Sequence, residues 1–407
     1  MKYVLVIPDG AADEPIAELG QRSPMAAAHT PTMDALASRG KVGLTNHVPP
    51  NLPPGSEVAC MSLLGYDPLV YFTGRAPLEA AAKGISLGPD DWAVRCNLVT
   101  IREQIMEDFT AGHVSDEEAA SLLVTAQTAL HNPAWEFVPG VSYRNLLLWR
   151  GGHSPFANDS CTIPPHDLID KSVVDSFPRG SGSRELTEIM SSSAEWFADH
   201  PVNVSRRASG KLPATHVWLW GLGRSPTLES FVSRYGINGT MITAVDLLRG
   251  LASLVGWKRR EVVGATGYLD TDYAAKGRAA IDELRSSDFV CVHVEAPDEA
   301  SHEGNVRAKV ESLEKIDALI VSPLYEALHS MGDYRILICP DHPTFIRLKT
   351  HSRGDVPFLI SGTGISSTGA TAYHETAAAG DSQRVTHGWH LMGEFLGRPL
   401  HLPQGSC

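Results

Sequence analysis

The sequence predicts an α/β sandwich with a largely parallel central sheet, interrupted by a smaller inserted α/β domain. Three observations predict it. Short, unbroken apolar runs recur toward both ends of the 407-residue chain, helical segments fall between several of them, and the middle of the chain changes character. Unbroken apolar runs are what strands buried on both faces show, and alternating strands and helices imply a parallel sheet.

Residues 3–7 (YVLVI) are the first expected strand. TPTMDALASRG then reads as a helix. Thr30 is placed to cap it, Pro31 takes the first helical position, Met33, Leu36 and Ala37 mark one face, and Gly40 follows the end. From about 85 to 181 the pattern is shorter and carries more loop. It runs through DDWAVRCNLVTI, a helix around SDEEAASLLVTAQTAL, YRNLLLWRGG and a Pro-rich passage, TIPPHDLIDK to FPRGSGS. This stretch is expected to be the insertion, with 1–84 and 182–407 forming the core. In the second half, 217–220 (VWLW), 261–263 (EVV), 289–294 (FVCVHV), 334–339 (YRILIC) and 356–360 (VPFLI) read as buried strands. Helices are expected at 243–255, 276–287 and 308–330.

Composition narrows the function classes. A hydrophobic share of 43% with 20% charged residues suits a globular chain with a sizeable core. The net charge of −13, without a long basic run, argues against a nucleic-acid or anionic-membrane surface as the main partner. No apolar run approaches the ~18 residues of a spanning helix. The opening MKYVLVIPDG is too short an apolar stretch for a signal peptide. Six cysteines (Cys60, Cys96, Cys161, Cys291, Cys339 and Cys407) lie far apart with no C-x-x-C pair. Reduced thiols in a cytoplasmic protein are expected.

Three apolar runs end alike: VLVIPDG, VHVEAPDE and ILICPDH place Asp9, Asp298 and Asp341 directly after a proline. The carboxyl edge of an open parallel sheet lines the ligand crevice, so these carboxylates are expected to converge there. Any one of them alone could simply start a turn. Histidines accompany them: His302 stands four residues after Asp298, one turn up the same helical face if a helix begins there, His342 is adjacent to Asp341, and His351 follows in LKTHSRGDVPF. Converging carboxylates repel one another, and oxygen and imidazole donors without thiolate suit Mn²⁺, Zn²⁺ or Mg²⁺. In NLPPGSEVACMSLLGYDP, Ser56 sits at a corner ahead of a helix-like stretch. There it could cap the helix, or serve as a hydroxyl nucleophile activated by a divalent cation. Cys60 and Ser62 nearby read as helix packing.

These residues together resemble the alkaline phosphatase superfamily, and more closely the archaeal-type 2,3-bisphosphoglycerate-independent phosphoglycerate mutase family. The resemblance runs through PDGAAD, PPGSEVACMSLLGYDP, YFTGRAPLEAA, VRCNLVTI, WLWGLGRSP, GATGYLDTDYAAKG, HVEAPDEASHEG, CPDHPTF and THSRGDVPF. It implies an alkaline-phosphatase-like sandwich and two divalent metal ions, manganese first among manganese, magnesium, zinc and cobalt, with no 2,3-bisphosphoglycerate. One ion would be held by Asp298, His302 and His351, the other by Asp9, Ser56, Asp341 and His342. Ser56 would become phosphoserine, and Lys276 in YAAKG is the expected active-site lysine, although a solvated helix end would read the same. Arg75, Arg95, His113 and Arg144 are candidates to hold the substrate carboxylate or phosphate, since guanidinium forks match such anions. Ordinary salt bridges or packing would place them equally well. THSRGDVPF departs locally from the family, which usually has a shorter polar link to a Pro-Val-Pro turn; His351 keeps its place.

The resemblance implies interconversion of 3-phosphoglycerate and 2-phosphoglycerate, a small phosphorylated substrate, with an inserted domain whose closure excludes water. Activity is expected to fall as ligand histidines protonate at mildly acidic pH. Two other reactions fit the same site, a homoserine kinase-like phosphotransfer and a metal-dependent phosphatase. No G-x-x-x-x-G-K-[ST] loop is present to support a nucleotide donor.

Overall fold

The computed structural model describes residues 1–398 apart from 158, 381 and 382. The chain divides into two compact units, Met1–Phe72 with Thr227–Cys407, and Thr73–Pro226.

The first unit is built on eight strands: β1 (Lys2–Pro8), β2 (Lys41–Thr45), β3 (Gly239–Ile242), β4 (Lys258–Arg259), β5 (Phe289–Val294), β6 (Tyr334–Ile338), β7 (Val356–Gly362) and β8 (Arg384–Val385). Their order across the sheet is β8-β2-β7-β6-β1-β5-β3-β4. All run parallel except β7, which is antiparallel to both of its neighbours. The unbroken apolar runs are explained by burial on both faces. On one face Val4, Val6, Val290, Val292, Ile336 and Ile338 pack with helix residues that include Leu36, Leu313 and Leu324. On the other, Tyr3 meets Phe395 with ring centroids 5.6 Å apart, and Phe289 meets Phe231 and Trp257 at 5.5 and 4.9 Å. Each fully buried aliphatic side chain contributes about 1.5–3 kcal/mol relative to exposure.

Several sequence expectations change. The segment 261–263 is not a strand: the edge strand is Lys258–Arg259, Arg260 N donates the last bond to Met241 O, and Val263 is exposed. The helix Pro31–Arg39 forms, but the Thr30 side chain does not cap it. Instead the Asp317 carboxylate accepts from the N–H groups of Thr32 and Met33 at 3.2 and 2.7 Å. A carboxylate from another helix thus satisfies the free donors of the first turn. The helix expected at 308–330 is two helices, Val306–Ile316 and Ser322–Ser330, joined by a π-helical turn at Asp317–Val321. Pro323, which has no N–H to donate, follows that turn.

The second unit holds a five-stranded antiparallel sheet of Trp92–Arg102, Ile105–Asp108, Trp135–Val141, Arg144–Trp149 and His216–Gly223. It extends beyond the expected 85–181 at both ends, to Thr73 and Pro226. The run 217–220, expected in the core sheet, instead pairs with Trp92–Arg102. The helix Ser183–Ala198 before it buries Leu186, Ile189, Met190 and Phe197 in the same cluster as Leu98 and Trp218. At the other boundary, Ala76 and Ala80 pack on Ala93 and Leu146. The helix Asp116–Ala129 opens with a reciprocal cap between Ser115 and Glu118.

The five described cysteines are free, and Cys407 lies outside the described residues. Among the described residues no helix is long and apolar enough to cross a membrane.

One buried ion pair braces the first unit. Lys309 Nζ donates to Asp13 Oδ2 and to the Thr344 carbonyl, each at 2.9 Å, and Ile346 N donates to the same Asp13 oxygen. Both charged side chains are fully buried. Removing one partner of such a pair strands the other charge. Lys309→Met is therefore expected to lower the unfolding free energy by about 3–5 kcal/mol in urea titration. An unchanged midpoint would show that Asp13 needs no partner.

Candidate active site

Strands β6, β1 and β5 are adjacent and parallel, so their carboxyl ends abut. Asp9 follows β1 directly, and Asp341 follows β6 after Cys339 and Pro340. Asp298 lies on the helix that its four-residue spacing to His302 allowed. β5 ends at Val294, and Asp298 rides in the first turn of a helix, Ala296–Glu303, with Pro297 among its first residues. His302 lies one turn further on, its Nε2 3.1 Å from Asp298 Oδ2. His351 arrives by a short ladder between Thr344–Phe345 and Thr350–His351, which seats it opposite Thr344. Its ring lies 4.5 Å from that of His342.

Ser56 is the first residue of the helix Ser56–Leu63, whose cap is Gly55. Its hydroxyl does not cap the helix. It lies 3.3 Å from Asp9 Oδ2 and 3.1 Å from His342 Nε2. His342 Nε2 also lies 3.3 Å from Asp341 Oδ2 and 3.7 Å from Asp9 Oδ1. Cys60 and Ser62 do more than pack: the thiol reaches Asp341 Oδ2 at 3.6 Å and the hydroxyl faces His47 Nδ1 at 3.3 Å. Gly10 leaves the room for this convergence. A Cβ there would meet Asp298 Oδ1 at 2.5 Å and Thr344 Oγ1 at 2.6 Å, and its φ of +61° favours glycine.

At one end, the Nε2 atoms of His302 and His351 face each other at 3.2 Å beside Asp298 Oδ2. At the other lie Asp9, Asp341 and His342, with donor atoms close enough to share one ion. A third group, Asp9 with His293 and Glu295, was missed from sequence. His293 hides inside the apolar run of β5, where a lone imidazole reads as packing; its position beside β1, the strand leading to Asp9, was the available signal. Lys276 is not a solvated helix end: it is buried in the helix Tyr273–Glu283, and its Nζ donates to the His293 carbonyl at 3.1 Å.

Electrostatics say the cluster lacks positive charge. Asp9 Oδ1 and Glu295 Oε2 are buried without a hydrogen-bond partner. Burial, then the Asp341 carboxylate and its neighbours, pushes Asp9 well above the usual carboxylate range. Glu295 is pushed up to about 8 by burial and then by Asp298. Burial lowers Lys276 to about 8 against the pull of Glu295, and lowers His293 to about 3. His302 is raised to about 9 by its hydrogen bond to Asp298. Burial and neighbouring carboxylates thus disfavour the ionised forms of Asp9 and Glu295. Hard oxygen and imidazole donors with orphaned carboxylate oxygens fit a divalent metal ion.

The remaining candidates belong to the second unit. Arg75 and Arg95 both pair with Glu79, at 3.5 and 3.0 Å, and the Arg95 guanidinium lies 4.1 Å over the Trp220 ring. His113 and Arg144, both exposed, flank Tyr143. Buried against an acid and an indole, Arg95 matches the packing alternative.

A hydroxyl at a helix N-terminus, set among buried carboxylates and imidazoles at the carboxyl edge of a parallel sheet, belongs to metal-dependent phosphoryl-transfer enzymes. The protein-family model for 2,3-bisphosphoglycerate-independent phosphoglycerate mutase matches residues 37–203. A Geobacter sulfurreducens protein named as a probable enzyme of this kind is 43% identical over 403 residues, covering 98% of this chain and 100% of the relative. The Methanosarcina mazei enzyme is 45% identical over 398 residues, covering 97% and 100%. Among solved structures, the cofactor-independent phosphoglycerate mutase from Thermoplasma acidophilum aligns over 98% of this chain and 99% of its own, with 27% identity and a TM-score of 0.66. A Pyrococcus horikoshii protein aligns over 100% and 99%, with 26% identity and a TM-score of 0.81. The chain belongs to the 2,3-bisphosphoglycerate-independent phosphoglycerate mutase family.

A pH dependence follows from His302. Its raised pKa in the metal-free chain means that its pairing with Asp298 stabilises fully below about 6.5, and that this contribution is lost as pH rises through about 9. An ion held by His302 would have to displace that proton, so its binding would have the opposite dependence. Titration of metal-free protein with Mn²⁺ should show affinity rising by about tenfold per pH unit through this window and levelling above it. A flat profile would show that no proton leaves.

Proposed function

We propose that this chain interconverts 3-phosphoglycerate and 2-phosphoglycerate by passing the phosphoryl group through Ser56, with two divalent ions in the site. The observation that carries this reading is the Ser56 hydroxyl, 3.1 Å from His342 Nε2 and 3.3 Å from Asp9 Oδ2 at the start of a helix. Asp298, His302 and His351 would hold one ion; Asp9, Ser56, Asp341 and His342 would hold the other, manganese being the first choice. Bound there, the ions would supply Lewis acidity, lowering the pKa of the serine hydroxyl and neutralising phosphoryl oxygens.

The chain's own groups do the rest. Ser56 Oγ gives up its proton and forms a bond to phosphorus as the bond to the substrate's 3-oxygen breaks, and the departing oxygen gains a proton in exchange. The glycerate re-orients, its 2-oxygen takes the phosphoryl group, and the serine returns to its starting state. N–H groups of the first helical turn face the transferred anion. Lys276 is assigned to offset negative charge. Thr73–Pro226 is assigned as the substrate-binding domain, with Arg75, His113 and Arg144 as its candidate anion-binding groups. The reaction belongs to glycolysis and gluconeogenesis, which fits a cytoplasmic location.

An enolase-coupled assay on 3-phosphoglycerate with Mn²⁺ and no 2,3-bisphosphoglycerate tests the reading. Turnover should vanish with a chelator and return with added Mn²⁺. Ser56→Ala should lose about a thousandfold or more in kcat. Full activity in that variant would remove Ser56 as nucleophile. An inactive, metal-loaded wild type that instead phosphorylates homoserine from ATP would overturn the mutase reading.

A further inference from the structure

Thr344 is buried, and every polar group it carries is engaged. Its N–H donates to Ala12 O at 3.2 Å and its carbonyl accepts from Lys309 Nζ at 2.9 Å. Its hydroxyl touches two residues assigned to different ions: it donates to Asp298 Oδ1 at 2.6 Å and lies 3.2 Å from His342 Nδ1. A hydroxyl has one proton, and the short contact to a carboxylate takes it. Toward His342 the oxygen can only accept. His342 Nδ1 must therefore carry the ring's N–H, and a neutral imidazole has no second one. Nε2 is left as a lone pair, directed at Ser56 Oγ, Asp341 Oδ2 and Asp9 Oδ1.

His293 shows the opposite arrangement. Its Nδ1 faces the Thr243 hydroxyl at 3.1 Å, while that oxygen accepts from Val245 N. The Thr243 proton is free to go to Nδ1, which leaves Nε2–H to donate to Asp9 Oδ2 at 2.8 Å. Two buried histidines beside Asp9 thus take opposite tautomers, each set by a threonine. His342 presents a lone pair to an ion, whereas His293 presents a proton to a ligand carboxylate.

We propose that Thr344 is a positioning residue that joins the two ion sites: with one hydroxyl it fixes the Asp298 carboxylate and the metal-binding tautomer of His342. This rests on the two-ion reading above. Hydrogen bonds of this kind to a ligand typically change metal affinity by about 10–100-fold.

The test uses Thr344→Val, which keeps the shape and loses the hydroxyl, and Thr344→Ser, which keeps the hydroxyl. Calorimetric titration of Mn²⁺ into the metal-free full chain should show binding weakened by about 10–100-fold in the valine variant and largely restored in the serine variant. Long-range ¹H–¹⁵N spectra of histidine-labelled wild type should show His342 protonated at Nδ1 and His293 at Nε2. Wild-type affinity in a folded valine variant would overturn the proposal, as would an Nε2–H signal from His342. Should the valine variant not fold, the serine variant and the wild-type spectrum still decide. A wild type that binds no Mn²⁺ would overturn the two-ion reading and with it this role, and the tautomer spectrum separates that failure from one confined to Thr344.

Discussion

Much of this structure answers one constraint: several carboxylates are buried together where three parallel strands end. Asp9 and Asp341 are fully buried, Asp298 nearly so, and Asp9 Oδ1 has no hydrogen-bond partner. Packing anions into so little space is unfavourable unless positive charge joins them. The imidazole of His302 and the ammonium of Lys276 supply some of it, and the upward-pushed carboxyls of Asp9 and Glu295 mark the shortfall. Affinity for divalent cations is the direct expression of that shortfall.

Holding such a cluster together requires support from behind. The Lys309–Asp13 pair fastens the Thr344 backbone, and Thr344 in turn fixes Asp298 and His342. Gly10 matters for the opposite reason, since it withholds atoms from the point where these side chains meet. Stability and chemistry are linked here through one chain of contacts. Residues remote from the hydroxyl of Ser56 therefore bear on its surroundings without touching a substrate.

The sequence exposed what lies at strand ends and concealed what lies inside them. Asp9 and Asp341-His342 stood out because an acid after an apolar run and a proline interrupts a buried pattern. Asp298 was found by the same rule and by its four-residue spacing to His302, which fits the helix that carries both. His293 was passed over, since one ring within FVCVHV has the profile of packing. The run at 217–220 was recognised as a buried strand and given to the wrong sheet. Apolar periodicity reports burial, not which partner strand does the burying. Edge strands suffered most: the two-residue Lys258–Arg259 is too short and too polar to leave a signal.

The single reversed strand, β7, has a topological consequence. A chain leaving β6 for a parallel neighbour would have to cross back to the amino edge of the sheet before re-entering. Because β7 runs the other way, residues 339–355 both depart from and return to the carboxyl edge. That one excursion supplies Asp341, His342, Thr344 and His351, folded back on itself by the ladder at Thr344–Phe345 and Thr350–His351. A reversal of direction in one strand thus sets how many donor groups a single loop can deliver, and it makes the length of that loop a parameter that all four residues share.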